Sequence, residues 1–291
     1  MRTVALLLAT AALAACKPAA RVDEANVAAP AAAAPDPKAV AVTLARLDCG
    51  SITIKNFDKF FSDKPGLYSS GPREVTDSCY LIHHGDQYML WDSGLPAELK
   101  GKDTDMGDMI AHQKSTLVEQ LAAAGIQPED IAIVGISHSH ADHIGQAAAF
   151  PNAKLIIGAA DFDLAQKPAQ PGEPNPLAPW AKAGAKVQKF TADTDVFGDG
   201  TVEIIHLPGH TPDHAGLLVK TASGAFMLSG DTFHSTEARQ KRGVPPFNTD
   251  RAQSVASMDR IDQLAKDNRA TLVIQHEPAD IVKVPALVAA R

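Results

Sequence analysis

One short polar segment holds the side chains of this sequence that are best suited to chemistry. Residues 137–143, Ser-His-Ser-His-Ala-Asp-His, carry four potential metal ligands directly after an apolar run. Histidine and aspartate resist burial unless they are satisfied, so a protein core has little use for such a cluster. We expect His138 and His140 to face one divalent metal, and Asp142 and His143 to turn toward a second one. Two adjacent metals of this kind can share a hydrolytic site.

Three further residues occupy a similar context, at the ends of predicted strands. His210 closes a Leu-Pro-Gly-His segment, Asp231 a Leu-Ser-Gly-Asp segment and His276 a Val-Ile-Gln-His segment. Loops at strand ends are where α/β folds place much of their chemistry. Taken singly, Asp231 could be a helix N-cap and each histidine an ordinary loop residue. Together with the histidine-rich turn, they predict a metal centre.

Strand and helix patterns alternate along the chain, which indicates an α/β fold. Apolar runs bounded by turn residues predict strands at 42–54, 79–82, 88–91, 131–136, 154–158, 187–190, 202–207, 216–219, 226–229 and 271–275. Helical spacing of apolar residues predicts helices at 113–124, 145–150, 161–167 and 251–266. The polar turn at 83–86 predicts a β-hairpin, and five prolines within 168–179 predict a loop.

The order of the motifs resembles the metallo-β-lactamase superfamily of binuclear hydrolases. His-x-His-x-Asp-His is followed by Pro-Gly-His, Ser-Gly-Asp and a strand that ends in histidine, and the resemblance runs from about residue 42. It implies the αββα four-layer sandwich, with two sheets face to face and helices outside. It also implies two divalent metal ions, with zinc expected and iron, manganese or cobalt compatible with the same ligands. The implied ligands are His138, His140 and His210 for one metal, Asp142, His143 and His276 for the other, and Asp231 as the bridge.

Within the superfamily, the sequence is most similar to the N-acyl homoserine lactone lactonases. The flanking segments that carry this similarity are 47–50, 79–82 and 91–94, Leu-Asp-Cys-Gly, Cys-Tyr-Leu-Ile and Trp-Asp-Ser-Gly. The resemblance implies an enzyme that opens the lactone ring of a small acyl lactone, which is quorum quenching, by attack of a metal-bridging hydroxide. Asp142 or the departing alkoxide would then manage the proton.

Other members of the superfamily fit less well. Zinc β-lactamases typically lack an aspartate where Asp231 stands, and glyoxalase II enzymes add a helical domain, whereas 15 residues follow His276. A β-lactamase or a general esterase or lactonase exported to the periplasm remains the alternative function. A non-enzymatic metal-binding or scaffold protein fits less well, because storage does not call for a bridged pair with open coordination.

One position departs from the pattern of the lactonases. They have a tyrosine three residues after the bridging aspartate, whose hydroxyl lies near the lactone carbonyl, and this chain has His234 there. A neutral imidazole N–H can donate the same hydrogen bond, so His234 joins Asp142 as a candidate catalytic residue. His214 is expected to hydrogen-bond near the metal-binding loop. We expect the remaining histidines to be exposed or packed, namely His83, His84, His112 and His206. Of these, His112 is expected to begin a helix.

Two apolar stretches suggest where an acyl chain would bind. They supply either an apolar groove or ordinary core packing, and the sequence does not decide between the two. Their members are Phe57, Phe60, Phe61, Leu67 and Tyr68 in the first stretch and Met106, Met109 and Ile110 in the second.

The first forty residues suggest export. Residues 1–15 have the short apolar core of a signal peptide, and the small residues before Cys16 resemble a bacterial lipobox. We therefore expect a lipid on Cys16, an Ala/Pro-rich tether over 16–40, and a hydrolase domain over 41–291. Lys17 then favours a periplasmic lipoprotein in the outer membrane. The alternative is ordinary signal cleavage near Ala15.

Composition and charge exclude some classes of protein. A hydrophobic content of 45% in 291 residues indicates a globular chain. The formal charge of −7, or −8 after removal of residues 1–15 with Arg2, offers no positive field for a nucleic acid. We expect membrane contact only through the lipid at Cys16, and the sequence does not indicate an oligomeric state. Export permits a disulfide between Cys49 and Cys79, although their strand-like surroundings favour buried free thiols.

Overall fold

Two β-sheets form the centre of the fold in the computed structural model, which describes residues 40–167 and 174–290. The predicted signal peptide, Cys16, the tether up to residue 39 and part of the loop at 168–179 lie outside the described residues. The larger sheet has eight strands in the order β4-β5-β1-β2-β3-β6-β7-β8. They are β1 (Val42–Ile54), β2 (Arg73–His84), β3 (Gln87–Trp91), β4 (Asp103–Asp105), β5 (Met109–His112), β6 (Ile131–Gly135), β7 (Lys154–Gly158) and β8 (Val187–Phe190).

The smaller sheet has five strands in the order β13-β12-β11-β10-β9. They are β9 (Thr194–Asp195), β10 (Val202–His206), β11 (Ala215–Thr221), β12 (Gly224–Leu228) and β13 (Thr271–Val273). Its strands pair antiparallel except for β12 and β13, which are parallel. In the larger sheet, β3, β6, β7 and β8 run parallel, so their carboxyl ends lie at one edge.

Six α-helices accompany the sheets in the described residues. They are α1 (Phe57–Phe61), α2 (Leu117–Ala123), α3 (Ala141–Ile144), α4 (Ala159–Ala165), α5 (Thr236–Lys241) and α6 (Arg251–Asp267). Side-chain hydrogen bonds to the backbone mark the first residues of two of these helices. Thr116 and Glu119 form a capping box at α2, and Asp250 accepts a hydrogen bond from the Gln253 backbone N–H at α6. None of the helices in residues 40–167 and 174–290 is long and apolar enough to cross a membrane.

Buried apolar clusters show that the elements form four layers. Between the sheets, Ile82 and Trp91 of the larger sheet share one cluster with Ile204 and Leu217 of the smaller sheet. A second cluster joins α2 to the outer face of the larger sheet, and a third joins α6 to the outer face of the smaller sheet. Burial of apolar side chains on both faces of each sheet therefore stabilises helix, sheet, sheet and helix in that order. The predicted αββα sandwich is confirmed.

Three of the local helix predictions differ from the structure by more than two residues. His112 ends strand β5, where it pairs with Ser51, and does not begin a helix. The helix predicted from residue 113 begins only at Leu117, because the capping box at Thr116 fixes its start. The segment 145–150 forms a 3-10 turn at Ala147–Ala149, and the helix of that region lies earlier, at α3. In each case a tertiary contact or cap overrides the local apolar spacing.

The two buried cysteines form a disulfide, Cys49–Cys79. The expectation of free thiols is therefore wrong. Cys49 lies at a β-bulge, where the register between β1 and β2 shifts between Asp48 and Gly50. The bulge places the Cys49 side chain beside Cys79 on β2. Such a local irregularity cannot be recognised from the alternation of polar and apolar residues.

Candidate metal centre

The predicted ligands all lie in loops that follow strands. His138, His140, Asp142 and His143 follow β6, with Asp142 and His143 in the single turn of α3. His210 follows β10, Asp231 lies in the 3-10 turn Gly230–Thr232 after β12, and His276 follows β13. Residues separated by more than 130 positions thus meet at one place.

Their ligand atoms fall into two groups. Within each group, one ligand atom from every member lies within 4.8 Å of the others. The first metal group consists of His138, His140, His210 and Asp231. The second metal group consists of Asp142, His143 and His276. The six ligands other than Asp231 divide between the groups as the family resemblance implies, and Asp231, the implied bridge, falls in the first group. Metal binding by these residues stays a prediction.

Asp231 belongs to the first metal group but also faces the second, with one oxygen toward each set of imidazoles. Its Oδ2 is 3.6 Å from His138 Nε2 and 3.4 Å from His210 Nε2. Its Oδ1 is 3.3 Å from His143 Nε2 and 3.1 Å from His276 Nε2. A single carboxylate that faces both sets of imidazoles has the arrangement needed to bridge two cations.

Two buried polar atoms of this site lack hydrogen bonds in the described part of the chain, which fits the predicted role of the site in cation binding. His143 Nε2 and Asp231 Oδ1 are buried and have no hydrogen-bond partner among the described residues. In the first metal group, His140 Nδ1 is 3.0 Å from both His138 Nε2 and His210 Nε2. Buried polar atoms normally have partners, and exceptions often mark an ion site. Imidazole and carboxylate donors suit a divalent transition metal, so the residues fit the metals that the family implies.

Hydrogen bonds made by Nδ1 of three imidazoles leave Nε2 of each ring available to bind a metal. His210 Nδ1 donates to Asn248 Oδ1 at 2.8 Å, and His276 Nδ1 donates to the Thr76 carbonyl at 2.7 Å. His143 Nδ1 donates to Asp92 Oδ2 at 3.0 Å. A neutral imidazole with its proton on Nδ1 presents a lone pair on Nε2, which is the metal-binding tautomer.

The two groups differ in electrostatics. Burial holds the pKa of His138 and His210 well below the usual value and lowers the pKa of His140, so these imidazoles are neutral. Burial alone would also lower the pKa of His276, but the charge of Asp231 outweighs it and raises the pKa to about 9. The pKa of His143 is raised well above its usual value by the same competition.

The carboxylate of Asp231 stays charged despite its burial. Burial by itself raises the pKa of Asp231. The charges of His276, His143 and the other surrounding imidazoles lower this pKa by more than burial raises it, so it lies well below its usual value. The second metal group thus places positive charge against carboxylates, and a divalent cation would take the place of those protons on binding.

His234 lies beside Asp231 and is 3% exposed. Its Nε2 is 3.2 Å from Asp231 Oδ2, and its ring stacks almost parallel to the ring of His276. On its other side the ring contacts Phe61, with centroids 4.4 Å apart. A neutral imidazole that donates its Nε2 proton to Asp231 has no second proton for a substrate carbonyl. The predicted catalytic role of His234 stays a prediction and requires the proton on Nδ1.

His214 hydrogen-bonds to the backbone of Asp231 and so helps to position that residue. The sequence predicts such a hydrogen-bonding role near the metal-binding loop. His214 Nδ1 donates to the Leu207 carbonyl at 3.0 Å, and its Nε2 accepts from the Asp231 backbone N–H at 2.8 Å. Burial lowers its pKa to about 4, which keeps the ring neutral and able to accept this bond.

Several supporting residues were missed from the sequence. Asp92 follows β3 just as the predicted ligands follow their strands, so its position offered a signal for a role at the site. Asn248, Thr76 and Asp161 offered none, because their partners lie far away in sequence. Such contacts depend on the packing of loops against one another.

A pocket of about 320 Å³ opens beside the metal groups. Its polar end is formed by His140, Asp142, Asp231, His234 and His276. Its apolar lining consists of Ile52, Ile54, Phe60, Phe61, Val75, Leu95, Met106, Met109, Ala141 and Phe247. Half of the residues predicted for a groove therefore line it. The others do not belong to this lining in the described part of the chain: Phe57, Leu67, Tyr68 and Ile110.

The sequence profile of the Metallo-beta-lactamase superfamily matches residues 73–276. The match spans more than half of the chain and includes every predicted metal ligand, so this protein belongs to the metallo-β-lactamase superfamily. The predicted enzyme class, a metal-dependent hydrolase of ester or lactone bonds, is confirmed by its relatives.

Among those relatives is the N-acyl homoserine lactonase AttM of Azorhizobium caulinodans. It is 28% identical over 218 residues, which cover 70% of this chain and 83% of that protein. An N-acyl homoserine lactone hydrolase, solved with N-hexanoyl-L-homoserine bound at its catalytic metal centre, superposes with a TM-score of 0.70 at 20% identity. That match covers 85% of this chain and 98% of the other. The dizinc quorum-quenching lactonase AidC has a TM-score of 0.62 at 20% identity, over 81% and 87% of the two chains. These structural matches show a shared fold.

Proposed function

We propose that this protein opens the lactone ring of N-acyl homoserine lactones, using two divalent metal ions, with zinc as the expected metal. The pocket beside the two metal groups is the observation that carries the proposal. Relatives named as N-acyl homoserine lactonases support the choice of substrate, and a dizinc relative supports the choice of metal.

The two ends of the pocket match the two ends of an acyl lactone. The ester ring is polar and would lie at the metal groups, whereas the acyl chain would contact aromatic and methionine side chains. Phe60 and Phe61 pack edge to face, and Phe247 lies 5.3 Å from Phe60 between ring centroids. The volume is at the lower end of the range for small-molecule pockets. A single small molecule therefore fits better than a polymer.

The residues of the site divide the work of ester hydrolysis. The first metal group and the second metal group would hold one ion each, joined by Asp231. When bound, such a pair supplies an activated water and polarises an ester carbonyl. The carboxylate of Asp142 borders the pocket, and its side chain is 22% exposed. We propose that it takes a proton from the attacking water and returns it to the ring oxygen that leaves, which yields the open hydroxy acid.

A panel of substrates tests the proposal. Purified protein with zinc is expected to open N-hexanoyl and N-decanoyl homoserine lactones at least about tenfold more efficiently than a simple γ-lactone, because burying an acyl chain contributes about 0.8 kcal/mol per methylene. Proton release measures kcat/KM for these lactones, and absorbance measures hydrolysis of a penicillin. Hydrolysis of the penicillin without hydrolysis of either acyl lactone would contradict the proposal and favour the β-lactamase alternative.

The proposal also includes export and a lipid on Cys16, which would place the enzyme in the periplasm at the outer membrane. This part rests on the signal-like sequence of residues 1–15 and on the small residues before Cys16.

A further inference from the structure

Asp161 is a fully buried carboxylate that no step of the proposed reaction uses. It lies in the first turn of α4, and both of its oxygens accept two hydrogen bonds. Oδ1 accepts from the backbone N–H and the hydroxyl of Ser139, at 2.9 and 2.8 Å. Oδ2 accepts from the Thr211 hydroxyl at 2.9 Å and from the Asp213 backbone N–H at 3.0 Å. All four donors belong to the loops that carry metal ligands.

Each oxygen of Asp161 accepts hydrogen bonds from a different loop that carries predicted metal ligands. Ser139 stands between His138 and His140, and Thr211 directly follows His210. The carboxylate therefore connects the three histidines of the first metal group through their neighbours, without touching any of the imidazoles itself. In contrast, Asp92 holds the second metal group by direct contact with the ring of His143.

A second contact makes the connection reciprocal. The Asp213 backbone N–H donates to Asp161, and the Asp213 Oδ2 accepts from the Ala160 backbone N–H at 2.7 Å. The loops also approach closely here, since a Cβ on Gly158 would lie 2.4 Å from the Asp213 Cβ. This corner of the fold has little space in which the His210 loop could shift without breaking these bonds.

We propose that Asp161 is a positioning residue that sets the spacing of the first metal group. Three ligands from two separate loops can bind one ion well only if the loops keep a fixed separation. Outer partners of metal ligands typically change metal affinity by about 10- to 100-fold when they are mutated. Asp161 hydrogen-bonds to residues next to His138, His140 and His210, so we expect a substitution of Asp161 to affect mainly the first metal group. The inference rests on the proposed metal centre and is independent of the lactone substrate.

The test uses Asp161→Asn in the full-length protein. An asparagine side chain has the same size but only one acceptor oxygen, so it can hold one of the two loops and leaves the donors of the other unpaired. Zinc affinity is measured by competition with a chromophoric chelator, and the unfolding of the metal-free protein is measured in denaturant. Trp180→Phe is the matched control, because it removes one buried hydrogen bond, to the Ala153 carbonyl, in the core behind the larger sheet.

We expect Asp161→Asn to weaken the binding of one zinc ion by about 10- to 100-fold and to leave the other within about twofold. The weakened ion is expected to be the one that His138→Ala also loses. Trp180→Phe is expected to lower stability while both ions bind as in the wild type. Unchanged binding of both ions in Asp161→Asn, or an equal loss of both, would overturn the proposal, because either result reduces Asp161 to a general contribution to stability. Since the competition contains no lactone, a failure of the proposed substrate leaves its result unaffected.

Discussion

The Asp231→Asn variant is expected to lose lactone hydrolysis by about 1,000-fold and to bind zinc far more weakly at both positions. Asp231 faces His138 and His210 with one oxygen and His143 and His276 with the other. An amide removes the negative charge and one of the two acceptor oxygens. Metal-assisted stabilisation of developing charge is worth several kcal/mol, and each 1.4 kcal/mol corresponds to a factor of ten in rate.

The matched control for Asp231→Asn is Asp199→Asn. Asp199 also pairs with a histidine, His84, at 2.8 Å, but its side chain is 33% exposed and it lies outside the lining of the pocket in the described residues. We expect this control to keep wild-type metal content and kcat/KM. Metal content is measured by elemental analysis of dialysed protein and activity by proton release. An Asp231→Asn protein with two tightly bound zinc ions and near wild-type activity would show that the two groups do not share a bridge.

The Gly209→Ala variant is expected to have the largest effect on folding. Gly209 has φ of +130°, a region that other residues rarely adopt, and a Cβ there would lie 2.2 Å from the Ser254 backbone nitrogen in α6. Backbone strain costs about 1–3 kcal/mol, and overpacking adds about 1–3 kcal/mol. Because Gly209 immediately precedes His210, we also expect weaker zinc binding at the first metal group.

Gly224→Ala separates strain from steric contact. Gly224 has a similar φ of +137°, but nothing lies within 4 Å of the position that its Cβ would take. We therefore expect Gly209→Ala to lower the free energy of unfolding of the metal-free protein by at least about 2 kcal/mol more than Gly224→Ala. Denaturant unfolding measures both values. Equal losses in the two variants would mean that the loop before His210 can move away from α6.

The sequence predicts the positions of the candidate metal ligands more clearly than the bounds of several helices and strands. Residues such as His138 and Asp231 stand out because polar metal-binding side chains follow apolar strands, and this contrast requires no knowledge of tertiary structure. The division into two metal groups followed from the resemblance to a family whose motifs occur in the same order. Strand β7, with continuous apolar residues, was predicted with both of its ends because its burial on two faces leaves a clear pattern.

The contacts that support the site could not be predicted in this way. Asp161 and Asn248 are ordinary polar residues in sequence, and their roles arise only when distant loops pack together. The Cys49–Cys79 disulfide depends on a bulge that shifts the register of β1. His112 had a helix-like context, but pairing with β1 places it in a strand. Long-range packing decides each of these features, and local residue patterns carry little information about it.

A zinc titration of the metal-free wild-type protein tests the central claim most directly. Hydrolysis of N-hexanoyl homoserine lactone is measured at each step, together with the number of ions bound. We predict no hydrolysis without metal and a rise in activity that reaches its plateau at two bound zinc ions per chain. Full activity without metal, or two bound zinc ions without hydrolysis of the lactone, would contradict the proposal of a two-metal lactonase.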